Sequence, residues 1–170
     1  IAHAPADAML LATRALLLAS GERIDEALAD AGVGSDLAPD GAYTQWAHAL
    51  VRIRAGEFRR ALTLARRAVA LDPAEAKHLL TLAWAEAGEA RWRDALVCIE
   101  QALAFEPDLV EARTLRALIL DQQERSRYAS ADFRRLLTRE PEVAFARPGE
   151  AWVELEPFGH ASPAPQGSRP

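Results

Sequence analysis

Apolar residues recur at steps of three and four along most of this chain, the spacing that gathers them on one face of an α-helix. Leu62, Ala65 and Val69 form one such stripe, and Leu96, Ile99 and Leu103 repeat it at the same relative spacing further on. The two stripes lie in RAGEFRRALTLARRAVALDP (54–73) and EARWRDALVCIEQALAFEP (89–107), which carry alanine and proline at matching offsets. The pattern predicts eight helices, over 8–20, 23–33, 42–54, 58–71, 75–88, 91–105, 109–123 and 126–139.

The punctuation between these helices repeats as well. Pro39, Pro73, Pro107 and Pro141 recur at one constant interval of thirty-four positions. Twelve residues before each stands Ala27, Ala61, Ala95 or Ala129, and twenty-four before each stands Ala15, Ala49, Ala83 or Ala117. Alanine at those places lets paired helices approach closely. Gly56 marks a turn between two helices, and DPAE at 72–75 reads as an N-cap, a first-turn proline and an acidic third position, with Pro107 and Pro141 acting likewise. In the first unit Gly21 stands one residue early for its turn.

A helix-turn-helix unit of this period, with these alanines and this proline, resembles the tetratricopeptide repeat family. Phe58 and Trp92, at the same distance before Pro73 and Pro107, match the aromatic usual after the turn, whereas Ser126 stands where a third is expected. The resemblance implies an all-α, right-handed superhelical solenoid of about four units, near 8–41, 42–75, 76–109 and 110–141, within a repeat domain covering 1–141. Beyond Pro141 the chain is broken by Pro148, Gly149 and Pro157. Residues 142–158, with Phe145, Trp152, Val153, Leu155 and Phe158, are expected to cap the last helix pair or lie in the groove, and 159–170 to form a disordered Pro/Ser/Gly tail.

Composition changes this picture little. The chain has 170 residues, half of them apolar and 26% charged, enough for one domain with its own core. Its net charge of −5 argues against a nucleic-acid partner, and no apolar run approaches the ~20 residues of a membrane span. Cys98 is the single cysteine, so no intrachain disulfide forms; a cytoplasmic location is expected. The chain opens on IAHAP, without an initiator methionine or a visible signal peptide, and reads as trimmed at its start.

Chemistry needs converging groups, and the sequence offers none. His3, His48, His78 and His160 lack metal-ligand spacing, Cys98 lies on an apolar helix face as core, and GVG at 32–34 reads as a loop without a preceding strand. Asp25/Glu26 reads as solvated helix surface, and the stripe of Arg59, Arg60, Arg66 and Arg67 as a convex face. The chain is expected to be non-enzymatic, with no cofactor and no metal.

In tetratricopeptide arrays the first helix of each unit lines a concave channel, which the resemblance maps here onto Tyr43, Trp46, Leu50, Lys77, Leu80, Trp84 and Leu118. Ile53 and Arg54, ending the second unit's first helix, complete the candidate groove. The rival reading is that this face is simply core, because usual packing positions beside it are polar: Arg14, His48 and Arg116 at one, Gln45 and Arg113 at another. An exposed apolar channel suits a partner helix or peptide with an apolar segment. The asparagine-dependent clamp by which one branch of the family grips chaperone C-termini is excluded, since the chain has no asparagine.

WAHALVRIRAGEFRRA (46–61) is also similar to the first repeat of class II chaperones of type III secretion, through Trp46, Ala47, His48, Ala49, Leu50, Ile53, Gly56 and Ala61. That similarity implies a bacterial cytoplasmic chaperone of hydrophobic translocators, dimerising through its N-terminal helices. A general adaptor or scaffold subunit is the alternative.

Overall fold

A computed structural model of the protein describes residues 5–122. They form α1 (Pro5–Ser20), α2 (Ile24–Leu37), α3 (Ala42–Arg54), α4 (Phe58–Leu71), α5 (Ala76–Gly88), α6 (Trp92–Phe105) and α7 (Val110–Gln122), with no strand among the described residues. Helices α3 and α4 begin and end where the apolar pattern places them. The expected helix over 126–139 and the segments 142–158 and 159–170 lie outside the described residues.

Three hairpins, α1/α2, α3/α4 and α5/α6, close with one backbone motif. Its left-handed residue is Glu22 (φ 61°), Gly56 (φ 73°) or Ala90 (φ 57°), each one full repeat after the last. The amide that follows it donates back to the helix it leaves, from Arg23 to Leu18 O, Glu57 to Arg52 O and Arg91 to Glu86 O, at 2.9–3.0 Å. This is the Schellman arrangement, which favours glycine at its left-handed position. Only the second hairpin has glycine there; Gly21 precedes the position by one.

Helix α1 begins at Pro5, three residues before its predicted start, and two further readings are corrected. GVG (32–34) is no loop: α2 continues through it to Leu37. Gly34 is buried because α1 crosses there, and a Cβ on it would stand 3.0 Å from Ala8 O. Asp72 does not cap α5. It ends α4, Pro73 and Ala74 form the turn, and Glu75 is the N-cap, accepting from the Lys77 amide at 3.3 Å.

Close helix approach rests on the repeated alanines. Ala15, Ala49, Ala83 and Ala117, and Ala27, Ala61 and Ala95, are all fully buried. The polar residues at packing positions find partners on neighbouring elements. Arg14 binds Asp30 at 2.6 Å, Arg116 binds Glu100 at 2.8 Å, Gln45 donates to Pro39 O at 3.1 Å, and Arg113 donates to Pro107 O. Leu79 and Leu82, at those positions in the third unit, belong to the core. Glu86 is buried between Arg66 (2.8 Å) and Arg91 (3.0 Å), tying α5 to α4 and to the turn before α6.

Hairpins stack so that α1 lies against α3, α3 against α5 and α5 against α7, whereas the backbones of α2 and α4, and of α4 and α6, stay further apart. Odd-numbered helices thus form the inner wall and even-numbered ones the outer layer. The main core runs from α3 to α7, around Ile53, Leu62, Leu80, Leu82, Ile99, Leu115 and Ile119.

Candidate functional site

The inner wall carries a line of contacts across three successive units. Thr13 on α1 donates its hydroxyl proton to Met9 O (2.9 Å), so the Tyr43 hydroxyl, 3.2 Å away, is the donor between them. The Tyr43 ring lies 5.4 Å from Trp46, and Trp46 lies 6.2 Å from the His78 ring on α5. The Trp46 indole N–H then donates to Thr81 Oγ1 at 2.9 Å. Aromatic rings at these separations add to the burial they provide.

Of the candidate groove residues, Lys77 is exposed, and Tyr43, Trp46, Leu50, Arg54 and Trp84 are partly exposed. Ile53, Leu80 and Leu118 are buried, at 6%, 9% and 4% exposure. The structure therefore divides the set: three apolar members pack inward, while the aromatics and Leu50 keep accessible surface. Arg54 donates to Ala19 O, linking the second unit to the end of α1.

Trp84 and Leu118 come together in a pocket of about 100 Å³, with Phe58, Ala87, Gly88, Trp92, Leu115, Ile119 and Gln122 around it. No charged side chain lines it. Ala87 and Gly88 in its lining stand where the preceding unit has Ile53 and Arg54. The sequence reading placed Phe58 and Trp92 after their turns but did not join them to a site. Ala87 and Gly88, read against Ile53 and Arg54 one repeat earlier, were the available signal. At the preceding joint a wider, open cleft of about 530 Å³ has Asp25, Arg54 and Glu57 at its edge.

Among the described residues His48 and Cys98 are the buried groups with nucleophile or base chemistry whose surroundings shift them most. His48 Nε2 accepts from Arg52 Nε–H at 3.1 Å, so its Nδ1–H donates to Ser35 Oγ at 2.9 Å, and Ser35 in turn donates to Gly32 O at 3.0 Å. A histidine that donates to a serine cannot take its proton. Burial, then the Arg52 charge, push the His48 pKa down to about 4. Cys98 is buried and burial pushes its thiol up to about 11, leaving it protonated and unreactive at neutral pH. Among the described residues no group of His, Cys, Asp and Glu could hold a metal ion, and no helix is long and apolar enough to cross a membrane. The outward arginines of α4 are paired: Arg59 with Glu89, Arg60 with Glu57, Arg66 with Glu86 and Arg67 with Asp40.

No protein-family model matches the chain, and no curated protein matches its sequence. Solved structures do match its fold. MamA 41-end from Desulfovibrio magneticus RS-1 is similar at a TM-score of 0.70 and 17% identity, over 80% of this chain and 77% of that one. The first TPR domain of human RPAP3 is similar at 0.65 and 22%, over 76% and 97%. The Arabidopsis OM64 TPR domain is similar at 0.64 and 16%, over 69% and 98%. With the regularly repeated hairpins and the inner wall of odd-numbered helices, these likenesses define the fold: the chain is an all-α solenoid of tetratricopeptide-repeat type.

Proposed function

We propose that this chain is a non-catalytic protein-interaction module that takes an apolar segment of a partner, a peptide or a helix, against its inner wall. The observation that carries the reading is partly exposed Trp84 in an uncharged pocket shared with Leu118, with partly exposed Leu50 at the same position one repeat earlier. Apolar surface of this kind is costly to leave in water and recurs where helices or extended peptides dock. A similar fold, the first TPR of Spaghetti (RPAP3), is described bound to the HSP90 peptide SRMEEVD, at 22% identity and a TM-score of 0.67. That peptide is acidic at its end, whereas the pocket here is apolar, so the partner's contribution is an apolar side chain. A chaperone of secreted translocators is a finer form of this reading, supported by the residues 46–61 named above.

A second reading, an adaptor that assembles through its N-terminal hairpin, has its own support. Leu10 and Leu17 on α1 are exposed, both at 68%. Their counterparts one unit on, Thr44 and Val51, are buried, and the same positions in α5 and α7 are buried too. Among the described residues no unit packs on this face of α1. A homodimer through the N-terminal helices is one way to cover it.

Co-purification separates the two. Under the groove reading, a partner held by the wild type is lost from the Leu50→Glu/Trp84→Glu variant and kept by Leu10→Glu/Leu17→Glu. The opposite pattern supports the adaptor, provided circular dichroism shows both variants folded.

A further inference from the structure

The uncharged pocket lies at the C-terminal end of α7, and Gln122, the last residue of that helix, is part of its lining. Forty-eight residues of the 170-residue chain follow Gln122. A segment tethered to the rim of an apolar pocket meets it intramolecularly, at an effective concentration set by the length and stiffness of the connection.

Two features of that remaining chain bear on the pocket. The apolar pattern over 126–139 predicts a helix, about 20 Å long. The residues between Arg139 and Trp152 span up to about 40 Å when extended, enough to come back. The returning stretch EAWVELEPF (150–158) places Trp152, Val153, Leu155 and Phe158 within seven residues, with Pro148 and Pro157 on either side of most of it. The prolines disfavour a helix there and favour extended backbone, the form that lies along a groove and offers side chains one at a time. The twelve residues after Phe158 include no large apolar side chain.

We propose that residues 150–158 of this same chain occupy the Trp84/Leu118 pocket and cover the inner wall until a partner displaces them. The inference rests on the groove reading and adds its regulation: the module carries its own competitor, and a partner binds only by outcompeting it.

The test uses the full-length chain. A fluorescein-labelled peptide of residues 148–160 is titrated into the wild type, into the Trp152→Ala/Leu155→Ala/Phe158→Ala variant, and into that variant carrying Trp84→Glu as well. Occupancy by the tail predicts at least ten-fold tighter binding to the triple variant than to the wild type, and loss of binding when Trp84→Glu is added. Equal affinity for wild type and triple variant overturns the proposal, as does binding indifferent to Trp84→Glu or no binding to any chain. Hydrogen exchange is the second readout, with faster exchange in α5 and α7 of the triple variant expected and unchanged exchange contradicting the proposal. Partner capture by the wild type, lost on Leu50→Glu/Trp84→Glu, tests the groove reading separately and can succeed where the tail fails.

Discussion

The ring of Phe58 occupies the space where a side chain at Gly88 would begin: a Cβ built on Gly88 would stand 2.2 Å from Phe58 Cδ1. Phe58 opens α4 and Gly88 ends α5, so this contact joins the second unit to the third and forms one wall of the pocket. Glycine is held there by packing, since its φ is not in the left-handed region.

Gly88→Ala is therefore expected to destabilise the fold. Displacing an aromatic ring in a packed interface costs about 1–3 kcal/mol, against a helix-propensity gain of up to about 1 kcal/mol. Urea denaturation should give a net loss of about 1–2 kcal/mol. Phe58→Leu in the same chain should recover part of it, a non-additivity that an independent pair would not give.

The three hairpin turns make a matched set with different residues at one backbone position. A non-glycine residue in the left-handed region costs about 1–2 kcal/mol, part of which glycine gives back as unfolded-chain entropy. Glu22→Gly and Ala90→Gly should each raise stability by about 0.5–1 kcal/mol, and Gly56→Ala should lower it by a similar amount. Thermal melts of the three variants check the signs together.

Legibility in the sequence followed the periodicity. The bounds of α3 and α4 could be read because their apolar stripe, turn glycine and proline agree. The last four residues of α2, 34–37, could not, because Gly32 and Gly34 read as a loop while Gly34 is there for the crossing of α1 over α2. Phe58 and Trp92 were expected after their turns and open α4 and α6. The pocket they help to line could not be read, because it draws Phe58, Trp84, Trp92 and Leu118 from four helices, and the apolar stripe of one helix does not show how helices meet. Thr13, His78 and Thr81 escaped because their partners Tyr43 and Trp46 are about a full unit away in sequence.

His48 makes stability depend on pH with a definite sign. Its folded pKa, about 4, lies below the ordinary 6.5, so between these values the unfolded chain binds more protons. The contribution is fully present above pH 6.5 and is lost as pH falls toward 4, by on the order of 3 kcal/mol in all. Protonation must break the Arg52–His48 hydrogen bond and places a second positive charge beside Arg52. Stability measured from pH 7 to 5 should fall in the wild type and stay flatter in His48→Gln. Equal slopes would remove His48 from this account.

Trp46 links α3 to α5 through a single side-chain hydrogen bond to Thr81. Thr81→Val keeps the shape and leaves the indole N–H without that acceptor, which should cost about 1–3 kcal/mol if water cannot replace it. Trp46→Phe removes the donor together with part of the ring and should be less sensitive to Thr81→Val. A double-mutant cycle in urea measures the coupling, expected at about 1 kcal/mol.

The central claim is that partners meet the inner wall formed by α3, α5 and α7. The most direct measurement is photo-crosslinking, with benzoylphenylalanine placed singly at Leu50, at Trp84, and on the outer face at Arg59 or Arg67, followed by mass spectrometry of the adducts. The account predicts partner adducts from positions 50 and 84, absent from 59 and 67. Adducts confined to positions 59 and 67 would contradict it and move the binding surface to the outer helices.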